Sequence, residues 1–267
     1  MTALAFELKE KPEQRLDLSP LIPSRLKGLK AREIESLSIG TARGKLTVGD
    51  VFKLKGSDAG TIRFTGTDGR CDKIGADLDE GEILVDGDAG AYLGAGMKRG
   101  RIEVKGDTGA LAGASMNSGS IAIAGNAGER AGGILVGETM GMKGGVLRIG
   151  GKAGPMLGER MRRGLIVAEG DAGDYAGARV IAGTILFKRS VGKSAGYGLR
   201  RGSLIFVEEP KDMLPTFGDC GVMEFDYLRL MERWLREAGI AVKLGDRARR
   251  LMGDMSVLGK GEMLILA

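Results

Sequence analysis

The sequence predicts an all-β fold whose main part is a right-handed parallel β-helix, a glycine-rich solenoid of about eight turns with ~19 residues in each. Two observations predict it: glycine makes up 47 of the 267 residues, and one short motif recurs at nearly constant spacing. With 43% hydrophobic residues, the chain is too apolar for a disordered low-complexity segment. Its glycines also lack the strict three-residue period of collagen.

The repeated motif is Gly-x-Ile-x-Val or a close variant, and it predicts one short strand per turn. Its leading glycines are Gly60, Gly81, Gly100, Gly119, Gly145, Gly164, Gly183 and Gly202. The steps between them are 21, 19, 19, 26, 19, 19 and 19 residues. Apolar residues stand two and four positions after each glycine, a pattern typical of a strand with one buried face. A weaker copy begins at Gly44.

Three further columns complete the repeat unit. Three positions before the motif glycine, an apolar column reads Leu78, Met97, Met116, Met142, Met161, Val180 and Leu199. Glycines recur six and ten positions before it, where a chain corner needs positive φ or close backbone approach. A unit this small cannot bury its own apolar side, so the units are expected to stack and to align these columns into one interior. Right-handed winding is the commoner choice for such connections.

The repeat divides the chain into an N-terminal arm or cap (1–43), the β-helix (44–207) and a C-terminal extension (208–267). The arm contains a strand candidate at residues 5–8. In the extension, residues 224–238 predict an amphipathic helix, and strands are expected at 240–244 and 263–266. Because the open ends of a solenoid are sheet edges, both terminal parts are expected to act as caps.

The outward positions of the predicted strands change along the chain. In the late turns they are apolar, at Leu165, Val167, Leu186 and Ile205, whereas Arg101 and Glu103 occupy them earlier. An exposed apolar strip needs cover. The predicted helix, with Phe225, Leu228, Met231 and Leu235 on one face, is expected to supply part of that cover, and a partner protein the rest.

The 26-residue step inserts seven residues into one turn of the repeat. We place the insertion around residues 132–138 and expect it to bulge from a corner. Two interpretations stay open at this point: a loop that contacts a partner, and a tolerated surface insertion.

The residue inventory indicates no catalytic or metal-binding residues. There is no histidine, which removes the usual general base and the commonest metal ligand. Cys71 and Cys220 are far apart in the sequence and have no neighbouring activator, which favours structural roles. Acidic turn residues recur at Asp88, Asp107 and Asp171. A calcium-binding ladder and turn capping both fit them, and Lys152 in the same column favours capping.

Three basic pairs form the strongest surface pattern. Lys98-Arg99, Arg162-Arg163 and Arg200-Arg201 each directly precede a motif glycine, so we expect them at the same corner of three turns, as a broken basic ridge. A solvated face is the ordinary interpretation. The functional one is a docking surface for an acidic subunit or for a polyanionic cofactor tail.

Charge and segment composition bear on location and partners. The net charge of +5 suits an acidic partner without indicating nucleic acid. The N-terminus lacks a basic start followed by a long apolar run, and no stretch approaches the ~20 apolar residues of a membrane span. We therefore expect a cytoplasmic protein with reduced thiols, and neither nucleic acid nor membrane as partner.

The tandem units, with Gly-Asp-Ala-Gly followed by Gly-Ala-Gly-Met-Lys-Arg-Gly-Arg-Ile-Glu-Val-Lys-Gly-Asp, resemble the C subunit of formylmethanofuran dehydrogenase and that of its bacterial counterpart, the formyltransferase/hydrolase complex. The resemblance continues through Pro215-Thr216-Phe217 and the predicted helix. The same β-helix unit is shared with the C-terminal domain of the glutamate synthase large subunit. Chain length and the free-standing form favour the C subunit over glutamate synthase.

The resemblance implies a scaffold subunit without catalytic residues in a one-carbon enzyme complex. The bacterial complex moves the formyl group of formyl-tetrahydromethanopterin to a methanofuran analogue and releases formate. Its partners would be an amidohydrolase-like subunit with two zinc ions, a dehydrogenase-B-like subunit and a formyltransferase subunit. The acidic glutamyl tail of a methanofuran-type cofactor would suit the basic ridge.

Two alternatives stay open. The archaeal complex interconverts carbon dioxide and formylmethanofuran with a tungsten or molybdenum pterin on another subunit, and the Arg-rich, Ile-moderate composition favours the bacterial version over it. A self-assembling structural solenoid outside one-carbon metabolism is the contrasting class. The non-repeat termini argue against it, since bare ends would suit self-assembly.

Overall fold

A computed structural model describes residues 2–41 and 44–267, and in these residues the fold is built mainly of β-strands. The N-terminal strands and helices are β1 (Ala3–Leu8), β2 (Leu16–Asp17), α1 (Pro23–Leu26), α2 (Ala31–Glu35), β3 (Ser38–Thr41), β4 (Gly44–Thr47), α3 (Val48–Val51) and β5 (Phe52–Lys55). The middle strands are β6 (Asp58–Thr65), β7 (Cys71–Asp72), β8 (Glu82–Asp86), β9 (Arg101–Val104), β10 (Ser120–Ile123), β11 (Val146–Ile149), β12 (Leu165–Ala168), β13 (Thr184–Phe187) and β14 (Arg201–Phe206). The C-terminal elements are β15 (Gly218–Glu224), α4 (Asp226–Glu237), β16 (Arg247–Gly253) and β17 (Lys260–Leu266).

The motif strands form a continuous parallel ladder, β6-β8-β9-β10-β11-β12-β13-β14, inside a 13-stranded sheet. The register pairs each residue with its equivalent in the next repeat, as Ile83 with Ile102 and Ile102 with Ile121. The two apolar columns of the motif are buried along the whole ladder. The column three positions before the motif glycine is fully buried as well. The predicted alternation of the strands is therefore confirmed.

A second, weaker ladder runs along another side of the repeat. Single parallel bridges join Ala89 to Thr108 and continue one repeat at a time as far as Val191. Between the two ladders the chain turns at glycines. At Gly100, φ is +96° and an added Cβ would lie 2.5 Å from the Gly81 carbonyl oxygen of the preceding repeat. Only glycine fits such a corner.

The N-terminal part extends the sheet and adds a second one. Strand β1 pairs in parallel with β6 and antiparallel with β5, which forms the edge. The weaker motif copy at Gly44 is not a further repeat, because β4 pairs antiparallel with β3 in a four-stranded sheet ordered β4-β3-β2-β7. The predicted boundary between residues 43 and 44 lies at the edge of the described part of the chain, which excludes residues 42 and 43.

The C-terminal part continues the parallel ladder and then reverses it. Strand β17 pairs in parallel with β14, and β16 and β15 follow antiparallel. Helix α4 confirms the predicted helix, and β17 contains the predicted strand at 263–266. The strand predicted at 240–244 is wrong. The Glu232 carboxylate accepts the backbone N–H groups of Leu244 and Gly245, at 2.7 and 3.1 Å, so a side chain takes up hydrogen bonds that a sheet would otherwise make.

Helix α4 covers the outer face of the late strands, as predicted. Leu228 and Leu235 of its inner face are fully buried in one cluster with Val167, Leu186 and Ile205 of β12, β13 and β14. Phe225 and Met231 pack against the same cluster and are partly buried. The C-terminal repeats therefore carry a second apolar core on the outside of the sheet.

Candidate functional site

The basic ridge lies at one corner of the stacked repeats, as its spacing predicts. The backbone N–H groups of Lys98, Arg162 and Arg200 each donate to the equivalent carbonyl one repeat earlier, at 2.7 to 2.9 Å. Less basic pairs such as Asn117-Ser118 and Ile181-Ala182 interrupt the series. Within residues 2–41 and 44–267, the side chains of the six ridge residues form no hydrogen bond or ion pair, and all but Arg162 are exposed.

A cavity lies beside this corner and contains only one ridge residue. Its volume is about 650 Å³. Three arginines, Arg160, Arg179 and Arg200, line it together with Tyr197. The remaining lining residues are Thr139, Met140, Ile181, Gly198, Ser256 and Val257. The structure thus brings Arg200 together with two arginines that sequence reasoning did not select, and it leaves Lys98, Arg99, Arg162, Arg163 and Arg201 outside the cavity.

One wall of the cavity is the insertion in the 26-residue repeat. Gly132 keeps the regular corner position, since its N–H donates to the Ala112 carbonyl at 2.7 Å. The extra residues are therefore 134–140 rather than 132–138. The Ser115 hydroxyl fixes this loop because it accepts the N–H of Leu135 at 3.2 Å and donates to the Met140 carbonyl at 3.1 Å. Val136, at its tip, is 97% exposed.

The other wall is the loop between β16 and β17, which the buried Asp254 holds in place. Its Oδ2 accepts the N–H of Gly198 at 3.0 Å, and its Oδ1 accepts the N–H and hydroxyl of Ser256 at 2.8 and 2.6 Å. Burial opposes ionisation of Asp254, but these hydrogen bonds outweigh it, so its pKa is below the ordinary value. The carboxylate caps the last corner, where no further repeat follows.

The floor of the cavity comes from one position of the repeat, four residues before the motif glycine. Arg160 and Arg179 occupy it in consecutive repeats with φ of +55° each, whereas Gly96 and Gly198 occupy it elsewhere. Their N–H groups donate to the next repeat, at 3.1 Å to the Ala178 carbonyl and 2.6 Å to that of Tyr197. The two side chains therefore leave the same corner one strand spacing apart, about 4.8 Å.

A buried carboxylate lies next to this pair. Glu159 is 6% exposed, at a position that the repeats at Ala76, Ala95, Ala114 and Ala178 fill with a small apolar side chain. Its oxygens lie 3.7 Å from Arg130 Nε and 3.7 Å from Arg179 Nη1. Oε2 accepts no hydrogen bond from any described residue. A buried charge is costly unless it is paired, so Glu159 is the strongest departure from the repeat chemistry.

Two tyrosines add aromatic surface at the same place. The Arg179 guanidinium carbon lies 5.9 Å from the centre of the Tyr197 ring. Tyr175 meets Tyr197 edge to face, with 6.1 Å between the ring centres. Both tyrosines are more than 40% exposed. Stacked guanidinium and aromatic groups are typical of recognition surfaces.

Chemically, this arrangement suits an oxyanion. Its lining carries three guanidinium groups and no carboxylate. Arginine matches carboxylate and phosphate oxygens in a bidentate geometry. Among the described residues there is no group of three Cys, Asp or Glu side chains able to hold a metal ion.

Two of the three acidic turn residues cap backbone, as the sequence favoured, whereas Asp171 Oδ1 accepts the Ser190 hydroxyl at 2.7 Å. Asp88 Oδ1 accepts the N–H of Asp107 at 2.9 Å, and Asp107 Oδ1 accepts that of Asn126 at 2.7 Å. Asn126 Oδ1 in turn accepts the N–H of Lys152 at 2.8 Å. Each side chain therefore ties its turn to the next repeat.

Both cysteines are free. Cys71 is fully buried, and burial raises the pKa of its thiol to about 11. Cys220 is exposed on β15. The expected structural role therefore fits Cys71.

Sequence reasoning also missed two ion-pair triads with identical positions in the repeat. In one, Asp86 pairs with Arg63 at 2.5 Å and with Lys105 at 2.7 Å. In the other, Glu169 pairs with Arg148 and, at 2.7 Å, with Lys188. The signal was present as an acid followed by lysine 19 residues later, after an arginine in the preceding strand.

None of the helices in the described residues has the length and apolar character that a membrane crossing requires. No protein-family model matches the sequence.

Comparison with known proteins gives one strong similarity. The chain is 41% identical over 80 residues to the Fhc C subunit of the formyltransferase/hydrolase complex of Methylorubrum extorquens, and the aligned segment spans 30% of each protein. It also matches a chain in the crystal structure of the formyltransferase/hydrolase complex (FhcABCD) from Methylorubrum extorquens in complex with methylofuran. There the TM-score is 0.93 and the identity 41%, over 98% of this chain and 99% of that one.

Proposed function

The chain belongs to the family of the C subunit of the formyltransferase/hydrolase complex, and from that premise we propose that it is a non-catalytic scaffold subunit of such a complex. The complex would move the formyl group of formyl-tetrahydromethanopterin to a methanofuran analogue and release formate. The single observation that carries this proposal is the structural match at 41% identity over nearly the full length of both chains. The match favours the bacterial hydrolase over the archaeal dehydrogenase.

The scaffold role is supported by what the repeat residues already do. Inward positions form the apolar core, glycines form the corners, and turn carboxylates cap the next repeat. We infer that the stacked repeats wind as a right-handed parallel β-helix over 44–207, flanked by the arm at 1–43 and the extension at 208–267. The two parallel ladders and the one-repeat register support this inference.

The partners we propose are an amidohydrolase-like subunit, a dehydrogenase-B-like subunit and a formyltransferase subunit, in the cytoplasm. These subunits would carry the zinc, the tetrahydromethanopterin site and the reacting end of the furan cofactor, with none of these bound by this chain alone. The solved complex of the relative contains methylofuran. The basic ridge would attract the acidic tail of such a cofactor, since its six unpaired cations fit a polyanion.

Affinity purification of the tagged chain from its native host, with mass spectrometry and assays of formyl transfer and formate release, tests this assignment. We expect recovery with an amidohydrolase-like subunit and a formyltransferase, together with both activities. Recovery with a pterin-binding subunit and iron–sulfur proteins would indicate the dehydrogenase. A chain recovered alone or only with itself would contradict both and favour a self-assembling solenoid.

The ridge is tested separately by replacing its six residues with serine. The fold should persist because five of the six side chains are exposed and none has a side-chain partner among the described residues. We expect the variant to have a higher KM for the furan cofactor than the wild type at low salt. The two KM values should converge at high salt, because salt screens the attraction in the wild type. Unchanged assembly and kinetics would make the ridge ordinary solvated surface.

A further inference from the structure

We propose that the arginine-lined cavity between the 134–140 loop and the loop from Asp254 to Gly259 is a docking site for an acidic segment of a partner polypeptide. The proposal rests on the proposed membership of a multi-subunit complex. It concerns Arg160 and Arg179, which are not part of the basic ridge.

Charge is the first argument. The cavity places Arg160, Arg179 and Arg200 around one space, and no acidic side chain lines it. Arg160 and Arg200 form no hydrogen bond or ion pair with the described residues. Cations that converge without counter-charges repel one another, and carboxylates placed between them relieve that repulsion.

The buried Glu159 is the second argument. A carboxylate at an alanine position stabilises the stack poorly, because its Oε2 lacks a hydrogen bond and its nearest cations are 3.7 Å away. It lies within ion-pair distance of Arg130 and of Arg179, and Arg179 lines the cavity. We assign Glu159 as a positioning residue that orients the Arg179 guanidinium for an incoming carboxylate.

Shape and composition favour a polypeptide as the occupant. The seven-residue insertion and the loop after β16, which both break the repeat, contribute lining residues to the same cavity. Its volume of about 650 Å³ admits a short peptide segment. Exposed Tyr175 and Tyr197 beside the arginines supply the aromatic and guanidinium composition that dominates protein–protein hot spots.

Peptide binding to the full chain tests the recognition chemistry. Blocked hexaglutamate should bind more tightly than blocked hexaglutamine, with an affinity that falls as salt rises. Arg160→Gln with Arg179→Gln should weaken hexaglutamate binding at least ~10-fold, since charge-assisted hydrogen bonds are lost. Arg32→Gln with Lys53→Gln, exposed residues without side-chain partners, removes the same charge and should change affinity less than ~2-fold. Equal binding of the two peptides, or equal effects of the two double variants, would overturn the proposal.

Glu159→Gln separates positioning from simple charge. If the carboxylate only repels an anion, removing its charge raises the affinity for hexaglutamate. If it orients Arg179, the affinity falls, and we expect a loss of ~3- to 10-fold with an unchanged circular dichroism spectrum. A gain in affinity would remove Glu159 from the assignment.

A photo-crosslinker at position 197 identifies the natural occupant in the complex purified from the host. With Tyr197→p-benzoylphenylalanine we expect a crosslink to an acidic segment of another subunit. A complex that assembles but crosslinks only to a small molecule, or to nothing, overturns the peptide assignment and leaves the proposed function intact. A wild-type chain that recovers no partner subunits contradicts the proposed function itself, while the peptide experiments still decide the chemistry of the cavity.

Discussion

The early and the late repeats differ on the outside of the sheet and agree on the inside. Strands β9 and β10 bury every second residue, so one face meets the core and the other meets solvent. Strands β12 and β13 bury three consecutive residues, because their outer face is covered by α4. The inward positions are apolar in both regions. Two places after the motif glycine, β9, β10, β12 and β13 all have isoleucine.

This difference separates what builds the fold from what adapts it. The inward columns and glycine corners are required in every repeat, since each repeat stacks on its neighbours. The outward positions are free to vary: Arg101 and Glu103 form an ion pair on an early strand, whereas Val167, Leu186 and Ile205 form a second core on the late strands. The arginine cavity follows the same logic, because Arg160 and Arg179 occupy a position that other repeats fill with Asp77, glycine or serine.

The largest expected effect tests the agreement between the inner faces. Ile102→Ala in the early repeats and Ile185→Ala in the late repeats each empty a fully buried site in the same column. We expect both to lower the free energy of unfolding by about 2–5 kcal/mol. Urea unfolding of the two variants measures it. Losses that differ by more than about 2 kcal/mol would show that the inner column is not equivalent along the chain.

The outer faces should respond unequally. Leu186→Ser opens a cavity and buries a hydroxyl between the sheet and α4, so we expect a loss of about 2–4 kcal/mol. Glu103→Ser, at the same position of an early repeat, removes only an exposed ion pair with Arg101 and should change stability by less than about 1 kcal/mol. Thermal and urea unfolding compare the two. Similar losses would mean that α4 contributes little to the late repeats.

The ion-pair triads sharpen the comparison because they occur in both regions. Hydrogen bonds from Lys105 and Arg63 lower the pKa of Asp86. Burial opposes ionisation of Glu169, but hydrogen bonds from Lys188 and Arg148 outweigh it and also lower its pKa. A lowered folded-state pKa stabilises the fold above the ordinary carboxyl value of about 4, and the contribution is lost as pH falls through the folded pKa.

Asp86→Asn and Glu169→Gln should therefore each destabilise the protein by about 1–2 kcal/mol at pH 7. The difference from wild type should shrink as the pH falls through the lowered folded-state pKa of each carboxyl. Unfolding free energies measured at several pH values between 7 and 3 check this. A difference independent of pH would mean that side-chain shape, rather than ionisation, matters at these positions.

How much of the fold the sequence predicts depends on how far apart in the sequence the interacting residues are. The apolar columns were predicted because they recur once in every repeat, and α4 was predicted because its apolar residues recur every three or four positions. The motif copy that begins at Gly44 was predicted wrongly. Its residues fit the motif, but β4 pairs with β3 instead of joining the parallel ladder. Ile240 to Leu244 alternate like a strand, and a carboxylate 12 residues earlier takes up the backbone hydrogen bonds. Pairing partners of this kind are invisible in local periodicity.

The residues of the candidate site also divide into those that the sequence predicts and those that only the fold brings together. The ridge follows from three dipeptides in one column, whereas Arg160 and Arg179 stand alone in a column otherwise occupied by Asp77, glycine and serine. Only the stacking places them beside Arg200. Only the folded loops at 134–140 and after β16 turn that corner into a cavity. The seven-residue insertion and the acid at Glu159, in a column that is mainly alanine, were the signals in the sequence that pointed to this place.

The smallest expected effect concerns the turns that both regions share. Asp107→Ala removes the side chain that ties its turn to the N–H of Asn126, so we expect a loss of about 1 kcal/mol, typical of a lost cap. Asp107→Asn retains an oxygen acceptor, as Asn126 does naturally for Lys152, and should restore most of that loss. Because the carboxylate serves the backbone, calcium or a chelator should leave the melting temperature of the wild type and of both variants unchanged. If calcium raised the melting temperature of the wild type and Asp107→Ala abolished that rise, the capping role would be overturned and the turns would be interpreted as a calcium site.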